Sequence, residues 1–244
     1  SDGPLDGGSV FRPPIVSGVN TPSFGLALAG GVAADGRGWV AVGASTLGQT
    51  DSSPSRLVLL RTDPGAIDAT SYRAAGCVED AAQSPLGAAV LAHDFDGDGN
   101  DELVYRTATA VRIADGASIA ALTGGTGDPR PCAFDSGPGT EVPCPPTAEF
   151  GVECSEEYGA AIAAGDLNLD GRDELLVGDP GAIVSGAGRA GAVHVFENDG
   201  TGWRRTGALF DASPASGARM GTAVAVAPVR GRPEPFVGAA GSSE

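Results

Sequence analysis

The chain has 244 residues, with 31 acidic side chains against 15 basic ones and a formal net charge of -16 at pH 7. Nucleic-acid binding requires a basic face, so this balance excludes nucleic acid as a partner and favours a cation. No apolar run approaches the length of about eighteen residues that spans a membrane, so we predict no transmembrane segment. The start, "SDGPLDGGSV", lacks the features of a signal peptide, and we expect a mature product or a fragment.

Four related segments follow one another along the chain, each beginning with a large residue and a glycine. The four glycines recur about every sixty to seventy residues, a period that suits one four-stranded blade of a β-propeller with its loops. We therefore predict an all-β fold, with residues 1–244 forming a single propeller segment of about four antiparallel blades. The repeat glycines are Gly25, Gly87, Gly159 and Gly221.

The blades can be placed in chain order. The predicted units are a blade at 24–76, a blade with an acidic loop at 86–123, a Cys- and Pro-rich insertion at 124–157, a second acidic-loop blade at 158–210 and a partial blade at 220–244. In the third repeat, "GAAIAAGDL", "ELLVG", "GAVHVFE" and "GWRRTGALF" predict four strands. Alanine-rich runs also form helices, but the glycine boundaries and β-branched residues favour strands here.

The cysteines indicate the compartment. They form no C-x-x-C pair and have no histidine near them in sequence, which disfavours zinc and favours two disulfides. Disulfides persist in oxidising compartments, so we expect an extracellular, periplasmic or cell-surface protein. Three pairings are possible, and we favour Cys132 with Cys144 and Cys77 with Cys154.

Two acidic loops share one pattern, "DFDGDGNDE" from Asp94 to Glu102 and "DLNLDGRDE" from Asp166 to Glu174. An EF-hand needs glutamate at position twelve, where this chain has Tyr105 and Val177, so the EF-hand is excluded. Alternate residues of a tight loop can turn their oxygens to one centre, with a left-handed glycine at position six, Gly99 or Gly171.

Hard oxygen ligands in this number favour Ca²⁺ over Mg²⁺, and we predict two Ca²⁺ sites, with solvent-exposed Asx turns as the alternative. Asp101 and Asp173, at position eight, are expected to point to solvent. The predicted metal ligands are Asp94, Asp96, Asp98, the carbonyl of Asn100, Glu102, Asp166, Asn168, Asp170, the carbonyl of Arg172, and Glu174.

The order of "FG", a small apolar run, the acidic loop and "VGAS" or "VGDP" resembles the FG-GAP repeat of integrin α-chain β-propellers and of many secreted bacterial proteins, from Phe24 onward. The resemblance implies a seven-bladed ring, completed by further blades of a longer chain, by another subunit or by an unusual closure. It also implies structural Ca²⁺ at one face and partners at the other. The loops "VAADGRG", which keeps only Asp35, and "VAPVRGRPE" are expected to bind no metal.

No catalytic residues are predicted, since neither His93 nor His194 accompanies a nucleophile motif such as G-x-S-x-G. We expect His93 to pack beside the first loop and His194 to face solvent or a neighbouring blade. The predicted function is a secreted or cell-surface calcium-binding propeller that acts as a protein or glycan interaction module of the adhesion type. The alternatives are an accessory or catalytic propeller of a secreted enzyme that cleaves polysaccharide or phospholipid, and a structural spacer.

Overall fold

The computed structural model describes residues 24–48, 54–62, 72–123, 133–134, 139–145 and 149–241. These residues form short, mostly antiparallel strands, one two-turn α-helix and a short 3-10 helix (Glu149–Gly151), which confirms the predicted all-β class. None of the described helical segments has the length and hydropathy to cross a membrane.

The first sheet contains four antiparallel strands in chain order and one added strand. The antiparallel strands are β1 (Ala27–Val32), β2 (Gly38–Ala44), β3 (Pro54–Thr62) and β4 (Tyr72–Ala82). The short strand β8 (Ala133–Phe134) pairs in parallel with β4, so a segment that comes later in the chain extends the outer edge of this sheet.

The second sheet takes its outer strand from the segment that we predicted as an insertion. Its strands are β5 (Val90–His93), β6 (Glu102–Arg106), β7 (Ala110–Ala114) and β9 (Thr140–Pro143). The unpredicted helix α1 (Gly116–Thr123) follows β7, and Asp115 caps it by accepting a 2.7 Å hydrogen bond from the main-chain N–H of Ser118. Residues 124–157 therefore include the fourth strand of a sheet.

The third sheet matches the four predicted strands of the third repeat. Its strands are β11 (Ala161–Gly165), β12 (Glu174–Asp179), β14 (Ala192–Asn198) and β15 (Trp203–Leu209). The helix alternative for the alanine-rich run is therefore excluded. A small sheet of β10 (Val152–Glu153) and β13 (Ile183–Val184) lies beside it, and β16 (Met220–Val229) and β17 (Arg232–Ala239) form a hairpin.

The sheets lie side by side, with their first strands β1, β5, β11 and β16 in contact in that order. Apolar residues pack between successive sheets: Trp39 and Tyr105 between the first two, and Tyr158 and Val177 between the second and third. Strands β6 and β12 are buried on both faces, which explains their continuous apolar runs. The described sheets do not close into a ring, so the seven-bladed arrangement stays a prediction.

The glycine that starts each repeat has a structural reason. All four have φ between 72° and 90°, the left-handed region that favours glycine; they are Gly25, Gly87, Gly159 and Gly221. The main chain of Gly87 also packs closely against Gly43 in the preceding sheet, where a Cβ atom would lie 1.8 Å from the Gly87 carbonyl oxygen. The repeat glycines therefore allow both the turn and the close approach of neighbouring sheets.

The disulfide pairing differs from the prediction. Cys144 bonds to Cys154, with their Cα atoms 6.0 Å apart, so both favoured pairings, Cys132 with Cys144 and Cys77 with Cys154, are wrong. Cys144 and Cys154 pack together between the second and third sheets, whereas Cys77 lies in β4 of the first sheet. Cys77 is also disulfide-bonded, and Cys132 lies outside the described residues.

Candidate metal centre

The two acidic loops occupy equivalent places, because each joins the first strand of a sheet to the second. The antiparallel register pairs His93 with Glu102 at the end of β5, and Gly165 with Glu174 at the end of β11. Each loop is thus closed by its own glutamate. The glutamate lies beside the last residue of the first strand, where the loop begins.

The first aspartate of each loop organises the turn. Asp94 accepts a 3.0 Å hydrogen bond from the main-chain N–H of Gly99, and Asp166 accepts one of 2.9 Å from Gly171. The two glycines have φ of 85° and 87°, which confirms the left-handed conformation expected at position six. The first-position carboxylate therefore holds each loop in a closed shape.

The third and fifth positions repeat a second hydrogen bond. Asp96 and Asp98 each accept from the main-chain N–H two residues further on, at 3.1 and 2.8 Å. Asn168 and Asp170 do the same in the second loop, both at 2.9 Å. Such contacts are Asx turns, which form with or without a metal, so they show that the loops are equivalent but do not identify a ligand.

The glutamate at position nine distinguishes these loops from ordinary Asx turns. Glu102 and Glu174 are 6% and 2% exposed, and each accepts a hydrogen bond from the main-chain N–H of loop position two, at 2.8 and 2.7 Å. Burial raises the pKa of Glu102 to about 7, and the charges of Asp96, Asp94 and Asp98 add to the effect. Burial likewise raises the pKa of Glu174.

No arginine forms an ion pair with either glutamate within the described part of the chain. A buried carboxylate surrounded by other carboxylates is unfavourable unless a cation compensates it. The two buried glutamates therefore lack a compensating positive charge.

The first loop brings three carboxylates to one point. Oxygen atoms of Asp94, Asp96 and Glu102 all lie within 4.8 Å of one another. Two oxygens on opposite sides of a Ca²⁺ ion are about 4.8 Å apart, from Ca–O distances of about 2.4 Å. The three oxygens therefore lie close enough together to contact one cation of this size. Asp98 lies outside this group, and its carboxylate accepts hydrogen bonds of 2.8 Å from the main-chain and side-chain nitrogens of Asn100.

In the second loop, three acidic side chains surround the side-chain amide of Asn168. The side-chain nitrogen of Asn168 donates hydrogen bonds to Asp170, Glu174 and Glu197, at 3.3, 3.0 and 3.3 Å. Glu197, which lies near the end of β14, is not among the predicted ligands. A strand register would have found it, because Leu175 pairs with Phe196 and so places Glu197 next to Glu174.

The position-eight carboxylates do not point freely to solvent, so that prediction is wrong. Asp101 accepts a 2.8 Å hydrogen bond from the main-chain N–H of Val32, at the end of β1. Asp173 forms a hydrogen-bonded ion pair with His93, at the end of β5. Each loop is therefore joined to the preceding sheet. Neighbouring residues of an extended segment point in opposite directions, so position eight faces the other sheet while position nine faces the loop.

A cleft of about 390 Å³ separates the two loops, and its lining residues include Asp94, Asp96, Asp166 and Asp173.

The equivalent turn of the first sheet has a different charge balance. There Asp35 forms ion pairs with Arg61 and Arg37. Its carboxylate therefore has cationic partners already.

The two histidines lie apart from each other. His93 packs edge-on against Phe95 in the first loop, with ring centroids 4.7 Å apart, as expected for a residue beside the loop. His194 is fully buried and contacts Tyr158 edge-on at 5.4 Å. The solvent-facing alternative for His194 is therefore excluded.

Residues 158–196 match the family model of the FG-GAP repeat, which confirms the resemblance for the repeat that holds the second loop. A comparison with curated proteins found no match. Among solved structures, the chain is similar to Bacillus licheniformis rhamnogalacturonan lyase PL11, with 16% sequence identity and a TM-score of 0.46. The similarity covers 88% of this chain and 39% of the lyase, so the chain spans well under half of that protein's length.

Proposed function

We propose that this chain, which carries an FG-GAP repeat, binds one Ca²⁺ ion in each acidic loop and uses the ions to stabilise a secreted or cell-surface interaction module. The observation that carries the proposal is the pair of buried glutamates, Glu102 and Glu174, each without an arginine partner within the described residues. A bound Ca²⁺ ion supplies the positive charge that these carboxylates lack.

The residues of the first loop fit the ion by distance, since Asp94, Asp96 and Glu102 converge within 4.8 Å. In the second loop, Asp166, Asp170 and Glu174 are the carboxylate ligands, Glu197 adds a fourth acid, and Asn168 contributes its amide oxygen after rotation of the side chain. Amide rotation exchanges a donor for an acceptor at little steric cost. The position-seven carbonyls, Asn100 and Arg172, complete the proposed ligand sets.

The interaction role is supported by an exposed aromatic side chain close to the third sheet. The connection between β12 and β14 begins at the end of β12 that lies away from the acidic loop. The short strand β13 lies within this connection and pairs with β10. Just before β10, the ring of Phe150 is 51% exposed, and the guanidinium of Arg205 lies 5.1 Å from its centroid. Arg205 itself is 7% exposed, so the exposed feature is the ring of Phe150, and aromatic side chains are enriched in binding interfaces. A protein or glycan partner is proposed to bind there, and the disulfides agree with an oxidising compartment.

The experiment is thermal unfolding in chelator, in Ca²⁺ and in Mg²⁺, combined with calorimetric titration of Ca²⁺. We expect two Ca²⁺ ions per chain, a clearly higher midpoint in Ca²⁺, and a much smaller shift in Mg²⁺, because Mg²⁺ requires a near-ideal octahedral site and loses its own water ligands reluctantly. Asp96→Asn should remove one of the two sites.

The matched control is Asp211→Asn. Asp211 is an exposed Asx-turn aspartate outside both loops and accepts a 2.8 Å hydrogen bond from the main-chain N–H of Ser213. This variant should keep both sites. A thermal unfolding midpoint that is the same in chelator and in Ca²⁺ would contradict the proposal. Equal effects of the two variants on calcium binding would contradict it as well. Turnover of polysaccharide or phospholipid by the purified chain would favour the enzyme alternative over the interaction module.

A further inference from the structure

A second group of metal-ligating side chains lies under the Cys144–Cys154 disulfide, away from the acidic loops. Both sulfur atoms and a carboxylate oxygen of Asp179 lie within 4.8 Å of one another. The Nε2 atom of His194 lies 3.8 Å from the Cys154 sulfur and 3.5 Å from the Asp179 carboxylate. Asp179 and His194 are both fully buried. Neither belongs to a calcium loop.

We propose that this group is a redox-controlled zinc site: reduction of the disulfide creates a Cys₂–Asp–His ligand set that binds one Zn²⁺ ion. With a phosphine as the reductant, the sulfur–sulfur bond breaks, water supplies oxygen to the phosphorus and a proton to each sulfur, and a phosphine oxide forms. Zn²⁺ then binds both sulfurs as thiolates and releases the two thiol protons to solvent.

The distances already approach those of a tetrahedral zinc site. Zn–S bonds of about 2.3 Å and Zn–N and Zn–O bonds of about 2.1 Å, at tetrahedral angles, place sulfur about 3.6 Å from nitrogen and nitrogen about 3.4 Å from oxygen. The corresponding distances to His194 here are 3.8 and 3.5 Å. The two sulfurs must separate to about 3.8 Å, and the sulfur of Cys144 must also approach His194; breaking the disulfide bond frees both sulfurs to move.

The surroundings support metal ligation. Asp179 accepts a 2.9 Å hydrogen bond from the main-chain N–H of Ser155 and a second one from its hydroxyl, which fixes the carboxylate as second-layer partners do in zinc proteins. Arg106, which is buried and interacts electrostatically with Asp179, partly compensates the additional negative charge of two thiolates.

The test uses Co²⁺ as the spectroscopic probe, with the whole chain in saturating Ca²⁺ so that the acidic loops are filled. After reduction by phosphine and its removal, we expect one Co²⁺ per chain with the visible absorption of a tetrahedral thiolate complex, which Zn²⁺ displaces. The oxidised protein should not give this spectrum. His194→Gln and Asp179→Asn should each weaken Co²⁺ binding at least about tenfold. The control is His93→Gln, which changes the chain's other histidine and should bind as the wild type does.

Far-ultraviolet circular dichroism separates ligation from unfolding. Absence of the thiolate spectrum in reduced, folded protein overturns the proposal, and so does wild-type affinity in both His194→Gln and Asp179→Asn. A reduced chain that stays unfolded with and without metal overturns it as well. Cys144→Ser gives a second route that needs no reductant at this pair, because it leaves Cys154, Asp179 and His194 as three ligands. We expect this variant to bind Co²⁺ through the Cys154 thiolate, more weakly but detectably. Absence of Co²⁺ binding would contradict the proposed site.

Discussion

Replacing Glu102 by glutamine should have opposite effects on stability with and without calcium. In the metal-free chain the carboxylate is buried beside Asp94, Asp96 and Asp98, and its pKa is raised from the ordinary 4.5 to about 7. The side chain is 6% exposed, and glutamine keeps its shape and its ability to accept the hydrogen bond from Phe95. Glu102→Gln should therefore stabilise the metal-free protein and weaken the calcium-bound one.

The sign and the size of the expected change in the free energy of unfolding follow from proton linkage. A carboxyl whose pKa is higher in the folded state destabilises that state once pH exceeds the unfolded value, and the penalty grows from about pH 4.5 until it is complete above about pH 7. The full difference in pKa corresponds to about 3 kcal/mol. The loop around Glu102 is exposed to solvent, which screens the charges, so we expect a gain on the order of 1 to 2 kcal/mol for the variant at pH 8.

The assay is urea unfolding at pH 5 and pH 8, in chelator and in Ca²⁺. In chelator the gain should be small at pH 5 and larger at pH 8, whereas in Ca²⁺ the variant should be the less stable protein. Glu234→Gln is the control, because Glu234 is an exposed strand residue that undergoes the same chemical change. If Glu102→Gln destabilised the metal-free chain at pH 8, the buried carboxylate would not be a source of repulsion and the reasoning would fail.

Three further predictions concern the loops and the disulfide. Leu169→Gly should raise stability by about 0.5 kcal/mol, because Leu169 is 52% exposed and has φ of 64°; a loss measured by urea unfolding would contradict this. Asp101→Ala should cost about 1 to 2 kcal/mol by removing the hydrogen bond to Val32, with calcium stoichiometry unchanged in calorimetry; loss of a calcium ion would instead make Asp101 a ligand. Cys144→Ser/Cys154→Ser should cost about 3 kcal/mol, since the bridge closes a loop with a sequence separation of 10, and a loss below about 1 kcal/mol would contradict the estimate.

Local signals account for what the sequence predicted well. The four strands of the third repeat follow from apolar runs bounded by glycine, and the left-handed glycines Gly99 and Gly171 follow from loop spacing within a few residues. The errors concern contacts between distant segments. Asp101 bonds to a residue 69 positions earlier and Asp173 to one 80 positions earlier, and no periodicity within a repeat encodes such partners. The Cys144–Cys154 bond joins residues only 10 positions apart, and it was missed for a different reason: cysteine spacing leaves the pairing open, and the choice depends on how the second and third sheets pack.

The position-eight contacts give the acidic loops a role beyond closing a turn. In each loop a glutamate faces the proposed ion while the preceding aspartate bonds to the neighbouring sheet, so an ion that fixes Glu102 also fixes Asp101 against β1. Loss of the ion should loosen both the turn and the junction between two sheets. In the first sheet the turn residue Asp35 is compensated by Arg61 instead, and no metal is required for charge balance there. Counter-charge at this end of the strands is supplied by arginine in the first sheet, and we propose that calcium supplies it in the next two.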